Sequence, residues 1–233
     1  MDAHEEIEIW HKQRVARLAT REGWLAITGR WEIDDEPVDL PIGLAVAEAD
    51  GVRIGGTLHP FGTSFEEGPR LWEVTRVGDV RIIRVRDPES PSLKGFRGVD
   101  RFPVDLKYRV TAQVVPDEQG ARHTYASGAT VTKASPGRLA FAIDGDTYTL
   151  ATTWEGTDRL FVLFADATNE VSTYGAGRFL YVPYDGGGTA TLDFNQAFNP
   201  PCSLTEFATC PIVPDGNRLP IAIPAGERYP LPE

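Results

Sequence analysis

From Trp24 onward the chain is a succession of short runs of β-branched and aromatic residues, with glycine, proline or aspartate between one run and the next. Runs such as LAVAEA, VRIIRVR, LFVLFA and RFLYVPY are too short for helices and typical of strands joined by tight turns. About twelve such strands follow one another, which argues against a wound α/β sheet. We therefore predict an all-β fold, a barrel or a sandwich, forming a single domain over residues 1–233.

Two hairpins are specified by their turn residues. Gly78-Asp79 and Asp144-Gly145 each lie between alternating runs, and both pairs suit the positive φ of primed turns. In the first hairpin Arg84 and Arg86 share one face of the strand and Arg81 points to the other. An arginine buried on this hairpin would need a carboxylate partner.

Three segments depart from the strand pattern. Residues 1–22 are predicted to form a helix, capped by Asp2 and packed through a stripe of Ile7, Trp10, Val15 and Leu18. Residues 87–105 are predicted to form an irregular loop, long enough to carry function. Residues 193–233 are rich in proline, which cannot donate to a sheet ladder, and are expected to wrap the sheets as an extended strap.

The charge and the N-terminus bear on partners and compartment. The chain has 34 acidic and 23 basic residues and a net charge of −11, so we expect neither nucleic acid nor an anionic membrane as a partner. No apolar run is long enough to cross a bilayer, and the acidic start is unlike a signal peptide. We predict a cytoplasmic protein, in which Cys202 and Cys210 would normally be reduced.

Known catalytic and cofactor motifs are absent. The chain has no G-x-S-x-G elbow, no P-loop, and no glycine-rich fingerprint between a strand and a helix. Its four histidines and its C-x7-C spacing do not form a zinc pattern, so no metal site is predicted, and nothing indicates a redox cofactor. Asp166 and Asp193, each at the end of an apolar strand, are the candidate acid–base residues; capping of the turns that follow is the alternative.

Four long segments resemble one known family. They are RVRDPESPSLKGFRGVDRFPVD, FADATNEVSTYGAGRFLYV, LDFNQAFNPPCSLTEFATCP and NRLPIAIPAGER, and the opening IEIWHKQRVARL with GWLAITG is similar too. Together they resemble the bacterial and archaeal family known as domain of unknown function 1684. The resemblance implies no established activity. The chain differs from the family's pattern at RWEIDDEPVDLPIG, which is shorter than the corresponding segment of the family. It also differs at Phe198 and Phe207, where the family usually has tyrosine.

The resemblance does imply which positions form the shared motif. They are Arg86, Asp87, Phe102, Pro103, Asp166, Tyr174, Gly175, Gly177, Arg178, Asp193, Asn195, Asn199, Pro201, Cys202, Cys210 and Asn217. From these we take Asp166 and Asp193 as predicted catalytic residues. The predicted ligand-binding residues are Arg86, Tyr174, Arg178, Asn195, Asn199 and Cys202.

Three functions follow from this set. The first is a β protein that binds a small molecule and acts on it as an enzyme, with the pocket bordered by residues 87–105 and 193–210. In that pocket arginines would bind an anionic or carbonyl oxygen, and an aspartate would move a proton. Hydrolysis, isomerisation and cyclisation all fit this chemistry. The second is a non-catalytic module that binds a ligand or a peptide. The third is a structural motif, in which asparagines satisfy the backbone of the strap and Arg178 pairs with Asp166 or Asp193.

Overall fold

A computed structural model describes residues 2–117 and 121–229. The predicted helix and strap reach Met1 and residues 230–233, which lie outside the described residues. Helix α1 spans Ala3–Leu18, and the Asp2 side chain caps it by accepting a hydrogen bond from the backbone N–H of Glu5 at 2.9 Å. Of the predicted apolar stripe, Ile7 and Leu18 are buried, and Trp10 and Val15 are half-buried. The helix ends before residue 22, because Thr20 turns back and donates its hydroxyl to the carbonyl of Arg17.

The rest of the described chain is mostly β, as predicted. The strands are β1 (Ile27–Glu32), β2 (Val38–Leu40), β3 (Gly43–Ala47), β4 (Gly51–Ile54), β5 (Thr57–Pro60), β6 (Thr63–Glu67), β7 (Arg70–Val77), β8 (Val80–Arg86), β9 (Arg109–Val115), β10 (Ala121–Thr124), β11 (Thr130–Lys133), β12 (Arg138–Ile143), β13 (Asp146–Ala151), β14 (Thr153–Trp154), β15 (Arg159–Phe164), β16 (Arg178–Pro183) and β17 (Thr189–Asp193). A one-turn helix α2 spans Pro91–Gly95, and 3-10 turns span Trp24–Ala26, Leu106–Tyr108, Phe194–Gln196, Pro201–Ser203 and Asp215–Asn217.

These strands form five antiparallel sheets. Two belong to the first half of the chain, in the orders β1-β8-β7-β6 and β2-β3-β4-β5. Three belong to the second half, in the orders β13-β12-β9-β17, β14-β15-β16 and β10-β11. Each order is linear, so within the described residues the sheets pack as open layers and none closes into a barrel.

Both predicted hairpins are present. Val77 pairs with Val80 across Gly78-Asp79, and Ile143 pairs with Asp146 across Asp144-Gly145. Gly78 has a φ of 57°, and Asp144 and Gly145 have φ values of 54° and 92°. Positive φ at both central residues is what a type I′ turn requires, so the second turn has this form.

The described residues form three hydrophobic clusters, and α1 packs on one of them through Trp10. The first two sheets enclose Trp72, Ile83, Val85 and their neighbours. In the second half, alternation along β15 divides its side chains between two sides of the sheet. Leu160, Val162 and Phe164 face the sheet of β9, β12, β13 and β17. Phe161 and Leu163 face Trp10 of α1 and Phe198 of the strap.

The strap has no ladder strand after β17 within the described residues. Isolated bridges hold it instead, joining Phe179 to Phe198 and Ala165 to Arg218. Within residues 87–105 the chain forms α2, and Ser90 anchors it by donating its hydroxyl to the carbonyl of Leu25 at 2.6 Å. No helix among the described residues has the length and apolar character needed to span a bilayer.

Candidate functional site

Arg178 and Asp166 form a buried ion pair beneath the strap. Both side chains are fully buried, and the guanidinium lies 2.6 Å from the carboxylate. Arg178 also donates to the carbonyls of Ala225 and Ile223 on the strap. Burial lowers the pKa of Arg178, and the Asp166 charge opposes that shift. Asp166 accepts hydrogen bonds from the backbone N–H and hydroxyl of Thr168, so it caps the following turn and fixes the arginine.

Asp193 and Asn195 join the start of the strap to the 87–105 loop. Asp193 accepts from the backbone N–H and side-chain amide of Asn195 and pairs with Arg109 at 2.8 Å. The Asn195 side chain accepts from the backbone N–H of Asp105 at 3.0 Å and donates to its carbonyl at 2.9 Å. Two backbone groups of the loop are thereby satisfied by one side chain.

Asn199 and Glu227 connect the strap to α1. The backbone N–H of Asn199 donates to the buried Glu227 carboxylate at 2.7 Å, and the Asn199 amide donates to the carbonyl of Arg228. Arg14 of α1 reaches the same carboxylate at 3.1 Å. Burial raises the pKa of Glu227, and the Arg14 charge acts against that change.

The two thiols lie next to each other, and both cysteines are free. The backbone N–H of Cys202 points to the Cys210 sulfur at 3.3 Å, and Tyr174 donates its hydroxyl to the Cys202 carbonyl at 3.1 Å. The hydrogen bond between the thiols lowers the pKa of Cys202 to about 7 and raises that of Cys210. Burial and the neighbouring Cys202 raise the pKa of Tyr174.

Arg86, the remaining predicted residue, lies on the first sheet with its guanidinium 3.1 Å from Glu73. The same carboxylate lies 3.5 Å from the buried Arg84, so the predicted carboxylate partner is present. Arg81 points away and reaches Asp35 at 3.7 Å, in agreement with the predicted parity. The structure thus distributes the predicted site residues among separate hydrogen-bonded networks and does not bring them to one open pocket.

A cavity of about 600 Å³ lies elsewhere, between α1, the β10–β11 hairpin and the outer face of β15 and β16. Its aromatic lining comes from Trp10, Trp24, Tyr125, Phe161, Phe179, Tyr181 and Phe198. Phe161 and Phe179 pack edge to face at 4.9 Å between ring centroids, and Tyr181 lies 5.4 Å from Phe198. Such a volume and lining are typical of sites for small organic molecules.

Three polar side chains in this lining make no side-chain hydrogen bond to the described residues. His123 is 5% exposed, and among the described residues none forms a hydrogen bond with its ring. The hydroxyls of Tyr125 and Tyr181 make none with the described chain either. Burial lowers the pKa of His123 to about 4, so its ring is neutral at pH 7. Burial also raises the pKa of Tyr125 and of Tyr181, which keeps both phenols protonated.

The cavity lining contains both basic and acidic side chains. Lys133 and Glu155 lie 3.4 Å apart beside His123, and Arg14 stacks on the Phe198 ring at 4.7 Å. Arg17 of α1 and Glu22, in the turn after the helix, complete the charged lining. Within the described residues no group of three or more histidines, cysteines and carboxylates is arranged to hold a metal ion.

Most residues of this cavity lie outside the site predicted from the sequence. Phe198 and Pro201 lie within the predicted 193–210 border, but His123, Tyr181 and Lys133 are not among the predicted site residues. The available signal was the aromatic outer face of FVLF and RFLY, at positions where a solvated sheet would carry polar residues. The cavity is closed because α1 and the β10–β11 hairpin lie next to each other, and no local sequence pattern predicts this contact.

The comparisons agree with the resemblance. The family described as "Protein of unknown function (DUF1684)" matches residues 94–228. A solution NMR structure of an uncharacterized protein of Haloarcula marismortui is similar at 32% identity, with a TM-score of 0.50, over 61% of this chain and 82% of that one. None of the curated proteins matches the chain. The family match begins after the first two sheets and α1, so it includes the β10–β11 hairpin and strap but not the helix that covers the cavity.

Proposed function

The chain belongs to the DUF1684 family, and on that premise we propose that it is a small-molecule-binding protein whose ligand occupies the aromatic cavity between α1 and the second-half sheets. The observation that carries the proposal is a set of three polar side chains that line the cavity without a hydrogen bond to the described residues: the buried His123 and the half-buried Tyr125 and Tyr181. His123, Tyr125 and Tyr181 share one cavity, so a single ligand with polar atoms can satisfy all three.

The lining defines the chemical class of ligand. Seven aromatic rings favour a flat or largely apolar body, because stacked and edge-to-face contacts stabilise such a molecule. Neutral His123 and the two phenols donate or accept hydrogen bonds without carrying charge. Lys133 and Arg14 are paired with Glu155 and Glu227, and Arg17 also carries positive charge in the lining. These cations favour a carbonyl or anionic oxygen at one end of the ligand.

A metabolite screen tests the proposal. Ligands that carry an aromatic body and a carbonyl or carboxylate are added to the full chain, and Trp10 and Trp24 fluorescence reports binding because both rings line the cavity. A ligand at 100 times its Kd should stabilise the protein by about 2.7 kcal/mol. Tyr181→Phe, which removes one hydroxyl, should weaken binding by about tenfold.

Tyr148→Phe is the matched control, since Tyr148 packs on Phe141 in the opposite core and does not line the cavity. A ligand that binds wild-type protein and both variants equally would place binding outside this cavity and refute the proposal. A screen covering this chemical class without any fluorescence or stability change would also count against it.

A second candidate is an enzyme that transfers a proton to or from the bound ligand. The specific observation is Glu155, a carboxylate that lines the cavity beside His123 and Lys133. In this proposal Glu155 takes the acid–base role predicted for Asp166 and Asp193, whose carboxylates are already engaged with arginines. Once a ligand is found, NMR shows whether it is converted. Conversion by the wild type that persists in Glu155→Gln would refute this role.

We also propose a cytoplasmic protein that binds neither nucleic acid nor anionic membranes. Two free, neighbouring thiols support a reducing compartment, and a net charge of −11 opposes phosphate-rich partners. Titration of the thiols without reductant tests the first point, and two missing thiols would contradict it.

A further inference from the structure

An arginine cluster on the first sheet forms a second, separate feature. Arg30 and Arg84 are paired residues on β1 and β8, and Glu73 on β7 pairs with Arg84 from the other side. Arg86 lies two residues beyond Arg84 on the same face. Side chains paired across antiparallel strands start about 5 Å apart, so the three guanidinium groups share one small area.

The cluster has more positive than negative charge. Glu73 is shared by Arg84 and Arg86, and Glu32 pairs with Arg30. Among the described residues the three arginines therefore form ion pairs with two carboxylates, of which Glu32 is 42% exposed. Glu22, which pairs with Arg21, also lies near enough to Arg86 for their charges to interact. Burial is the main cause that lowers the pKa of Arg84, and the charges of Arg30 and Arg86 lower it further. The protein thus holds like charges together in a place with little solvent to screen them.

Each arginine of the cluster also has a hydrogen-bond donor that is not used within the described residues. The Nε atoms of Arg30, Arg84 and Arg86 are buried, and none has a hydrogen-bond partner. The side chains of Arg84 and Arg86 are only 9% and 12% exposed. Guanidinium groups that are crowded and incompletely paired in this way are the donors that bind carboxylates and phosphates.

The location of the cluster is consistent with a ligand site. The three arginines lie on the face of the first sheet opposite to the one that packs Ile83 and Val85 into the core. On that face the Trp24 ring, in the 3-10 turn Trp24–Ala26, lies 5.2 Å from the Arg84 guanidinium. The Arg84 charge also acts on Cys210 of the strap. The cluster therefore lies where the first sheet meets the strap and the turn after α1.

The geometry points to an oxyanion-binding site formed by Arg30, Arg84 and Arg86, which takes a carboxylate or phosphate-type group. Glu73 is the internal competitor of that ligand, because it accepts from the same guanidinium groups. The inference does not rest on the proposed function, since none of the three arginines lines the aromatic cavity.

The test uses the full chain and inorganic phosphate, with sulfate and acetate as further probes, at constant ionic strength set with sodium chloride. Isothermal titration should show saturable binding of at least one of these anions. Arg84→Lys keeps the charge but loses the fork of donors and should weaken binding about tenfold or more. Arg81→Lys, on the opposite face of β8, is the control and should bind like wild type.

Glu73→Gln keeps the test decisive if Arg84→Lys does not fold. Removing the competing carboxylate should tighten anion binding about tenfold, whereas a purely structural cluster would gain no affinity. In arginine Nε–H spectra, phosphate should shift the signals of the cluster and leave Arg53 unchanged. No saturable binding of any probe, or equal binding by wild type, Arg84→Lys and Glu73→Gln, would overturn the inference.

Discussion

His123 should make stability depend on pH in a way that the rest of the cavity does not. Its folded pKa is about 4, against 6.5 for an unperturbed histidine, because burial disfavours the charged ring. The unfolded chain therefore takes up a proton between pH 6.5 and 4 before the folded protein does. The free energy of unfolding contributed by neutral His123 is present above pH 6.5 and lost as the pH falls through 4.

The two pKa values give the size of this effect. Relative to pH 7.5, the loss from His123 alone is about 2 kcal/mol at pH 5 and about 3 kcal/mol at pH 4. Urea unfolding of wild type and His123→Gln at a series of pH values isolates it, because other groups titrate alike in both. The difference in unfolding free energy between the two should shrink by about 2 kcal/mol from pH 7.5 to pH 5.

Tyr125→Phe is the control, since this neighbouring phenol stays protonated throughout that range. Its stability should run parallel to that of the wild type. NMR titration of the His123 ring gives the folded pKa independently. A midpoint near 6.5, or a constant difference between wild type and His123→Gln, would show that the ring is hydrated and refute the reasoning.

Three further predictions concern the strap. Arg178→Met leaves its carboxylate partner buried without a countercharge and should lower the free energy of unfolding in urea by about 3–5 kcal/mol; a loss under 1 kcal/mol would contradict the buried pair. Gly177→Ala places a Cβ 2.5 Å from a valine side chain at a φ of 91°, and should cost about 3 kcal/mol, against about 1–2 kcal/mol for Gly56→Ala, where φ is 93° and space is open. Iodoacetamide at pH 7 should alkylate Cys202 before Cys210, as peptide mass analysis would show; the reverse order would refute the assigned thiolate.

Features that depend on local pattern were predictable from the sequence. The Gly78 and Asp144-Gly145 turns follow from positive φ, and the opposite directions of Arg81 and Arg84 follow from the two-residue period of a strand. The absence of a ladder strand in the described strap follows from its prolines. Strand number was underestimated because short strands such as β2 and β14 have too few residues to show a period.

Partnerships between distant residues were not predictable. The pairing of Arg178 with Asp166 was one of several alternatives, and the chain reversal between β15 and β16 selects it by bringing Phe164 opposite Arg178. The motif residues Asn195 and Asn199 satisfy backbone groups of other segments, at residues 105 and 228. Their amides look the same in a sequence whether they bind a ligand or a carbonyl.

The periods, turns and composition of this chain are enough to define an all-β fold with a helix at one end and an irregular strap at the other, because each depends on interactions within a few residues. The cavity depends on contacts between segments far apart in the chain: α1 covers the outer face of β15 and β16, and the hairpin carrying His123 closes its side. The burial that makes this histidine neutral, and that holds Arg84 and Arg86 at Glu73, exists only after the sheets have packed.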